Sequence, residues 1–231
     1  IAEEFNILAN HLKEIAPKIP LRWGKIQNDD FDAKIDMFQY NTFSSLEEAL
    51  LGLKPKTKEY FKKRWFLWKC SQCDEFLFYR HSSVLANPNS TDQNWDVEFL
   101  GNKDLRFDIK GTVIPRNIKQ EQDNGFPIVP MDLISFFYQQ QSKGIRNHTQ
   151  NRLFIVHDFQ SWHNENILRA NFAEKSKAVN RYLQLLRNNP TQKFLEYKQQ
   201  KTDIIYIIEQ KDGSIVSEYA SEELNQKKTS K

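Results

Sequence analysis

Residues 94–116, NWDVEFLGNKDLRFDIKGTVIPR, constrain this chain more than any other stretch. Two short apolar runs flank a turn, and the alternating Leu105, Phe107 and Ile109 give the second run one face to bury. The other face carries charge, with Asp96 and Glu98 on the first run and Asp108 and Lys110 on the second. Residues directly opposite in a hairpin point to the same side, with Cβ atoms about 4.5–5.5 Å apart. A turn of three or five residues within 101–105 sets Asp96 against Asp108 or Lys110 and gathers all four polar side chains on one face. A four-residue turn separates them. A fold that contains this hairpin must leave the charged face in water or give it a partner.

The rest of the chain supplies the frame. Phe5, Leu8, Leu12 and Ile15 form one helical stripe that Pro17 and Pro20 stop. IDMFQY suggests a short strand, and Ser44 or Ser45 suits the cap of a helix through LEEALLGL. From Thr57 to about Tyr79 the spacing of apolar residues predicts one long helix, followed by a loop over 81–94. After the hairpin comes a polar stretch to about Pro130, then a helix capped by Asp132 and ended at Gly144. NRLFIVHDF reads as a buried strand, helices are expected over 168–186 and 191–200, and DIIYIIEQ and SIVSEYA form a hairpin about Asp212-Gly213. This order predicts a mixed α/β or α+β domain with helices against a central sheet. The expected division is an N-terminal helical extension over 1–55, a core over 56–220 and a frayed tail over 221–231.

Composition narrows the function classes. With 231 residues, 17 Phe and 5 Trp, the chain can bury a single large core. A net charge of +3 permits nucleic-acid binding without arguing for it. No uncharged apolar run approaches the roughly 18 residues of a membrane span, so no membrane partner is expected. The start IAEEFNILANHLKEIA is not the pattern of a secretion signal, and two cysteines cannot staple a domain of this size. A reducing cytoplasm is the expected compartment.

If the hairpin folds with an odd turn, two carboxylates converge beside one ammonium. Buried like charges are costly at that distance unless a cation lies between them. Mg²⁺ or Mn²⁺, which prefer oxygen ligands and keep water in their remaining positions, meet that need. Asp96, Asp108 and Glu98 are then the candidate metal ligands, and Lys110 would hold an attacking water or neutralise a phosphate oxygen.

The pattern of Asp96 on one strand and Asp108-Ile109-Lys110 on its partner resembles the PD-(D/E)xK nuclease superfamily, with LISFFYQQQSK and NRLFIVHDF in the positions of its next helix and strand. The likeness covers about residues 57–159. It implies a restriction-endonuclease-like fold and metal-dependent DNA cleavage, with Asp96, Asp108 and Lys110 as catalytic residues and a homodimer for cutting both strands. Trp95 stands where the family pattern has proline. The resemblance also implies a helical glutamate, for which Glu75, Glu48 and Glu47 are candidates, and a polar residue on the following helix, where Gln139, Gln140 and Gln141 stand.

An acid, any residue and a lysine also occur at Asp32-Lys34, Glu196-Lys198 and Glu209-Lys211. Only Asp108 sits mid-hairpin with a second acid opposite; Lys211 abuts a turn, and Glu196 lies in a helical pattern. KKRWFLWK offers Lys62, Lys63 and Arg64 for phosphates, and Arg116, Lys119 and Arg146 flank the proposed site in sequence. At helical spacing the tryptophans are more often core and the lysines solvated. Cys70 and Cys73 read as buried structural cysteines, and His157, Asp158 and His163 as strand-end and loop residues. The competing readings are a hairpin whose acids pair with Arg106 and Lys110 on the surface of an interaction protein, and a nucleic-acid-binding domain without catalysis.

Overall fold

The computed structural model describes residues 2–21, 35–89, 92, 94–140, 150–189 and 193–221. Seven strands form one mixed sheet: β1 (Val84–Ala86), β2 (Val97–Phe99), β3 (Arg106–Val113), β4 (Arg152–Asp158), β5 (Leu195–Tyr197), β6 (Gln200–Glu209) and β7 (Ile215–Tyr219). The antiparallel β1, β2 and β3 lead into the parallel row β3-β4-β6. On the far edge of β6, β5 pairs with its first residues and β7 with its last. The described residues also form seven α-helices: α1 (Ala2–Ile15), α2 (Phe43–Ala49), α3 (Pro55–Tyr79), α4 (Arg116–Asp123), α5 (Pro130–Gln140), α6 (Glu165–Arg169) and α7 (Phe172–Asn188). This is the mixed α/β class that the order of elements predicts. No helix among the described residues is long and apolar enough to cross a membrane.

The chain forms two compact units, Ile1–Cys73 with Ser161–Ala170, and Asp74–Gln160 with Asn171–Lys231. The division falls inside α3, whereas the pattern of elements in the sequence suggests a boundary at residue 55. In the first unit Leu12, Leu46, Phe61 and Trp65 are fully buried. Thr42 caps α2 by accepting the N–H of Ser45 at 3.2 Å, and Pro55 begins α3, where its missing N–H costs nothing.

The second unit holds the sheet. Every residue of β4 is buried, which is why RLFIVHD has no polar alternation. On one face Phe154 packs its ring 5.0 Å from Phe137 and 5.8 Å from Tyr138, both of α5. On the other face the α7 residue Tyr182 donates to Asp203 of β6 at 2.9 Å, and Tyr219 of β7 donates to Ala178 O at 2.9 Å. Asp203 also accepts the N–H groups of Ile204 and Ser221, at 2.8 and 3.0 Å. Burial still raises its carboxyl to about 6 against these hydrogen bonds.

Several local expectations change. IDMFQY is a 3-10 turn over Met37–Gln39, started by Asp36 accepting the N–H of Phe38, not a strand. The loop over 81–94 contains β1, a three-residue edge strand too short to carry a period. The polar stretch before Pro130 contains α4, an almost wholly polar helix without a buried residue. The helix expected over 191–200 is the β5–β6 hairpin, whose turn residues Lys198 and Gln199 take left-handed φ values of 47° and 69°. The helix expected over 168–186 is two helices, with Asn171 capping the second through Glu174 N–H at 3.3 Å. The expected helix end at Gly144 and the tail lie outside the described residues.

Candidate functional site

The hairpin ladder pairs Val97 with Phe107 and Glu98 with Arg106, the odd-turn register that sets Asp96 toward Asp108. At Asp96 the ladder ends. Its N–H donates to Phe107 O at 2.9 Å, and its carboxylate accepts the N–H of Ile109 at 2.7 Å. A side chain thus does the work of the missing strand carbonyl and is fixed at the edge of β3.

Asp108 is buried, with its own N–H bonded to Asn151 O at 3.0 Å. Lys110 Nζ donates to one of its carboxylate oxygens, Oδ1. The Nε of Arg152, its cross-strand neighbour on β4, lies 3.3 Å from Oδ2. That contact is an ion pair without hydrogen-bond alignment: Asp108 Oδ2 and the Arg152 Nε and Nη1 atoms are buried and have no hydrogen-bond partner. The guanidinium lies 5.0 Å from the centre of the Tyr138 ring.

Burial raises the Asp96 carboxyl to about 6. The Lys110 charge and the Ile109 N–H act against the rise, while the Asp108 charge and a hydrogen bond shared between the two carboxyls add to it. Asp96, Asp108 and Lys110 therefore meet, as the sequence pattern predicts. Glu98 does not join them: it bonds Arg106 Nε at 2.7 Å, and the Arg106 guanidinium lies 4.4 Å from the Trp95 ring centre. That part of the hairpin is an ordinary cross-strand ion pair, and Trp95 packs on it. Glu75 is half-buried near the end of α3. No group of three or more His, Cys, Asp or Glu side chains is arranged to hold a metal among the described residues, so neither Glu98 nor Glu75 completes a triad.

On α5, Gln139 donates to Ser135 Oγ at 2.9 Å and Tyr197 Oη at 3.4 Å. Gln140 ends the helix, and Gln141 and Arg146 lie outside the described residues. Sequence reasoning missed Arg152 and Asn151. Asn151 ties the starts of three strands together, donating to Arg106 O at 3.1 Å and accepting Lys201 N–H at 2.9 Å. A cation opening a wholly buried strand was the available signal for Arg152, but only the parallel register places it beside Asp108.

The proposed phosphate contacts fare unequally. In the first unit Lys63 is buried and donates to Glu165 at 2.9 Å and to Asn166; burial lowers its pKa, and it is withdrawn from the basic set. Lys62 pairs with Glu47 at 2.5 Å, and Arg64 bonds Tyr60 Oη at 3.1 Å. Trp65 is core, as helical spacing favours, and Lys69 is buried 4.1 Å from the Trp68 ring centre rather than facing water. In the second unit Lys119 bonds Asp158 at 2.5 Å, whereas Arg116 is exposed at the start of α4.

The rival motifs resolve by position. Glu196 pairs with Lys201 across the β5–β6 hairpin, so it lies on a strand and not a helix. Glu209 accepts the N–H of Gln160 at 2.8 Å at the end of β6, and Asp32 lies outside the described residues. Cys70 and Cys73 are buried and form no disulfide. His157 is buried with Nδ1 2.8 Å from Thr112 O, and His163 is exposed beside Ser161.

The Asp96–Asp108 pair fits an oxygen-preferring divalent ion. It offers two converging carboxylates, one of them with an oxygen that no hydrogen bond occupies, in a place where burial disfavours the charged form of Asp96. No family model, curated protein or solved structure matches the chain.

Proposed function

We propose that this protein is a metal-dependent nuclease, a restriction-type DNA endonuclease of the PD-(D/E)xK kind. One observation carries the reading: Asp96 and Asp108 converge beside Lys110 on a hairpin whose remaining charged pair, Glu98 and Arg106, is self-sufficient. A decorative hairpin would pair all its charges across the strands in water. Here one acid is spent on a backbone N–H and the other is held by two cations in the interior.

Asp96 and Asp108 would hold Mg²⁺ or Mn²⁺, which supplies Lewis-acid polarisation of a phosphodiester and an acidified water. The chain's own residues do the rest. Ile109 N–H orients the Asp96 carboxylate, and Arg152 orients that of Asp108. Lys110, on the same strand face as Asp108, neutralises charge that develops on a phosphate oxygen. Exposed Arg116 contacts the nucleic-acid backbone without reading sequence. A homodimer would give one such site to each strand of a duplex.

Calorimetric titration of Mg²⁺ or Mn²⁺ beside a plasmid-nicking assay tests the proposal. The expected result is metal binding and metal-dependent nicking by the parent, with both lost in Asp108→Ala. Unchanged nicking in that variant rules out the site; salt-sensitive DNA binding without nicking indicates a binding domain instead.

A further inference from the structure

Asp108 carries one cation on each carboxylate oxygen, and the two cations differ in freedom. The Lys110 side chain on Oδ1 is 30% exposed, whereas Arg152 on Oδ2 is 3% exposed and lies over Tyr138. Lys110 also approaches Ile109 O at 3.3 Å, the carbonyl of the residue whose N–H holds Asp96. Its ammonium therefore sits at the carboxylate pair, where a divalent ion would have to sit.

We infer that Lys110 is the resident counter-ion of the Asp96–Asp108 pair, and that a divalent metal binds by displacing it from Asp108 Oδ1 while Arg152 stays on Oδ2. The inference rests on the nuclease reading and extends it. Two cations cannot share Oδ1 at contact distance without strong repulsion. Lys110 has an outlet to solvent; Arg152, buried against Tyr138, has none. The displaced ammonium remains tethered next to the metal and is thereby delivered to the phosphate that follows it. Lys110 would then hold the site in its metal-free state and stabilise charge in the loaded one, so metal affinity and cleavage respond oppositely to its removal.

The test is Mn²⁺ alone, titrated by calorimetry into the full chain without nucleic acid. Lys110→Met, which keeps an unbranched stem and loses the charge, is expected to bind Mn²⁺ on the order of tenfold more tightly than the parent at low salt. The gain should shrink as added salt screens the partly exposed ammonium. Lys110→Arg, which keeps a cation, should remain near the parent. Arg152→Met should show no comparable gain. Labelling of the parent with an amine-reactive reagent gives a second measurement that needs no variant: saturating Mg²⁺ should raise modification of Lys110 several-fold.

Mn²⁺ binding in Lys110→Met equal to or weaker than in the parent overturns the inference. So does a larger gain in Arg152→Met, or Lys110 labelling that Mg²⁺ does not change. Absence of Mn²⁺ binding in both the parent and Lys110→Met overturns the nuclease site itself, so the two failures are distinguishable.

Discussion

The Asp96 carboxylate accepts the backbone N–H of Ile109 at 2.7 Å, and Ile109 is the residue that separates Asp108 from Lys110. One hydrogen bond thus fixes the first acid to the strand that carries the other two candidate groups. Asparagine can keep this acceptor and alanine cannot. Asp96→Asn should therefore be at least as stable as the parent and lose metal-dependent nicking. Asp96→Ala should lose nicking and also about 1–3 kcal/mol of stability, because the buried Ile109 N–H is left without a partner. Urea unfolding beside the nicking assay separates the two effects; equal stability of the two variants would contradict the assigned bond.

Asp108 anchors a buried cation. From the sequence, two crowded carboxylates suggest that Asp108→Ala raises the melting temperature in the absence of metal. The structure reverses that expectation, since Arg152 would be left as an uncompensated charge with 3% of its side chain exposed. Loss of about 3 kcal/mol is expected. The double change Asp108→Ala, Arg152→Met should recover much of it, because no unpaired buried charge remains. A thermal melt of the single and double variants decides the point.

Asp96 gives stability a defined pH dependence. Its folded carboxyl lies near 6, raised from the ordinary 3.8, so the folded state holds more protons than the unfolded state between those values. The associated stability is fully present below about pH 4, falls as pH rises towards 6, and stays flat above that. Asp203, raised by burial to about 6, acts with the same sign. Urea titrations of the parent and Asp96→Asn from pH 4 to 7 should differ by about 1–3 kcal/mol in slope-integrated stability, with the parent losing ground as pH rises. Parallel curves would contradict the raised carboxyl.

The basic residues separate into buried, structural cations and exposed ones. Lys63→Ala removes a buried partner of Glu165 and should destabilise the protein by about 3 kcal/mol without changing the salt dependence of DNA binding. Arg116→Ala lies on an exposed helix start and should leave stability unchanged while reducing the log–log salt slope by about one. Filter binding across a salt series checks both. An altered slope in Lys63→Ala alone would invert the assignment.

Sequence by itself determined the elements whose local signals are strong. The stripe from Phe5 to Ile15, the long apolar spacing of α3, the uninterrupted apolar run of β4 and the Asp212-Gly213 turn are all where the chain places them, Gly213 with the left-handed φ of 82° that this turn needs. Period-2 alternation also made the two charged sets of the hairpin legible, but whether Asp96 faces Asp108 depended on the turn length, which the strand register decides. Short or polar elements were not legible. β1 and β5 are three residues long and owe their form to neighbouring strands, and α4 has no apolar face to announce it. The partners of the charges were least legible of all. That Glu98 belongs to Arg106, that Lys63 is buried on Glu165, and that Arg152 lies beside Asp108 depend on contacts between residues distant in sequence or on the exact fall of side chains within a face. Only the tertiary structure decides those, because electrostatic pairing follows distance and burial in space, and neither is encoded in local periodicity.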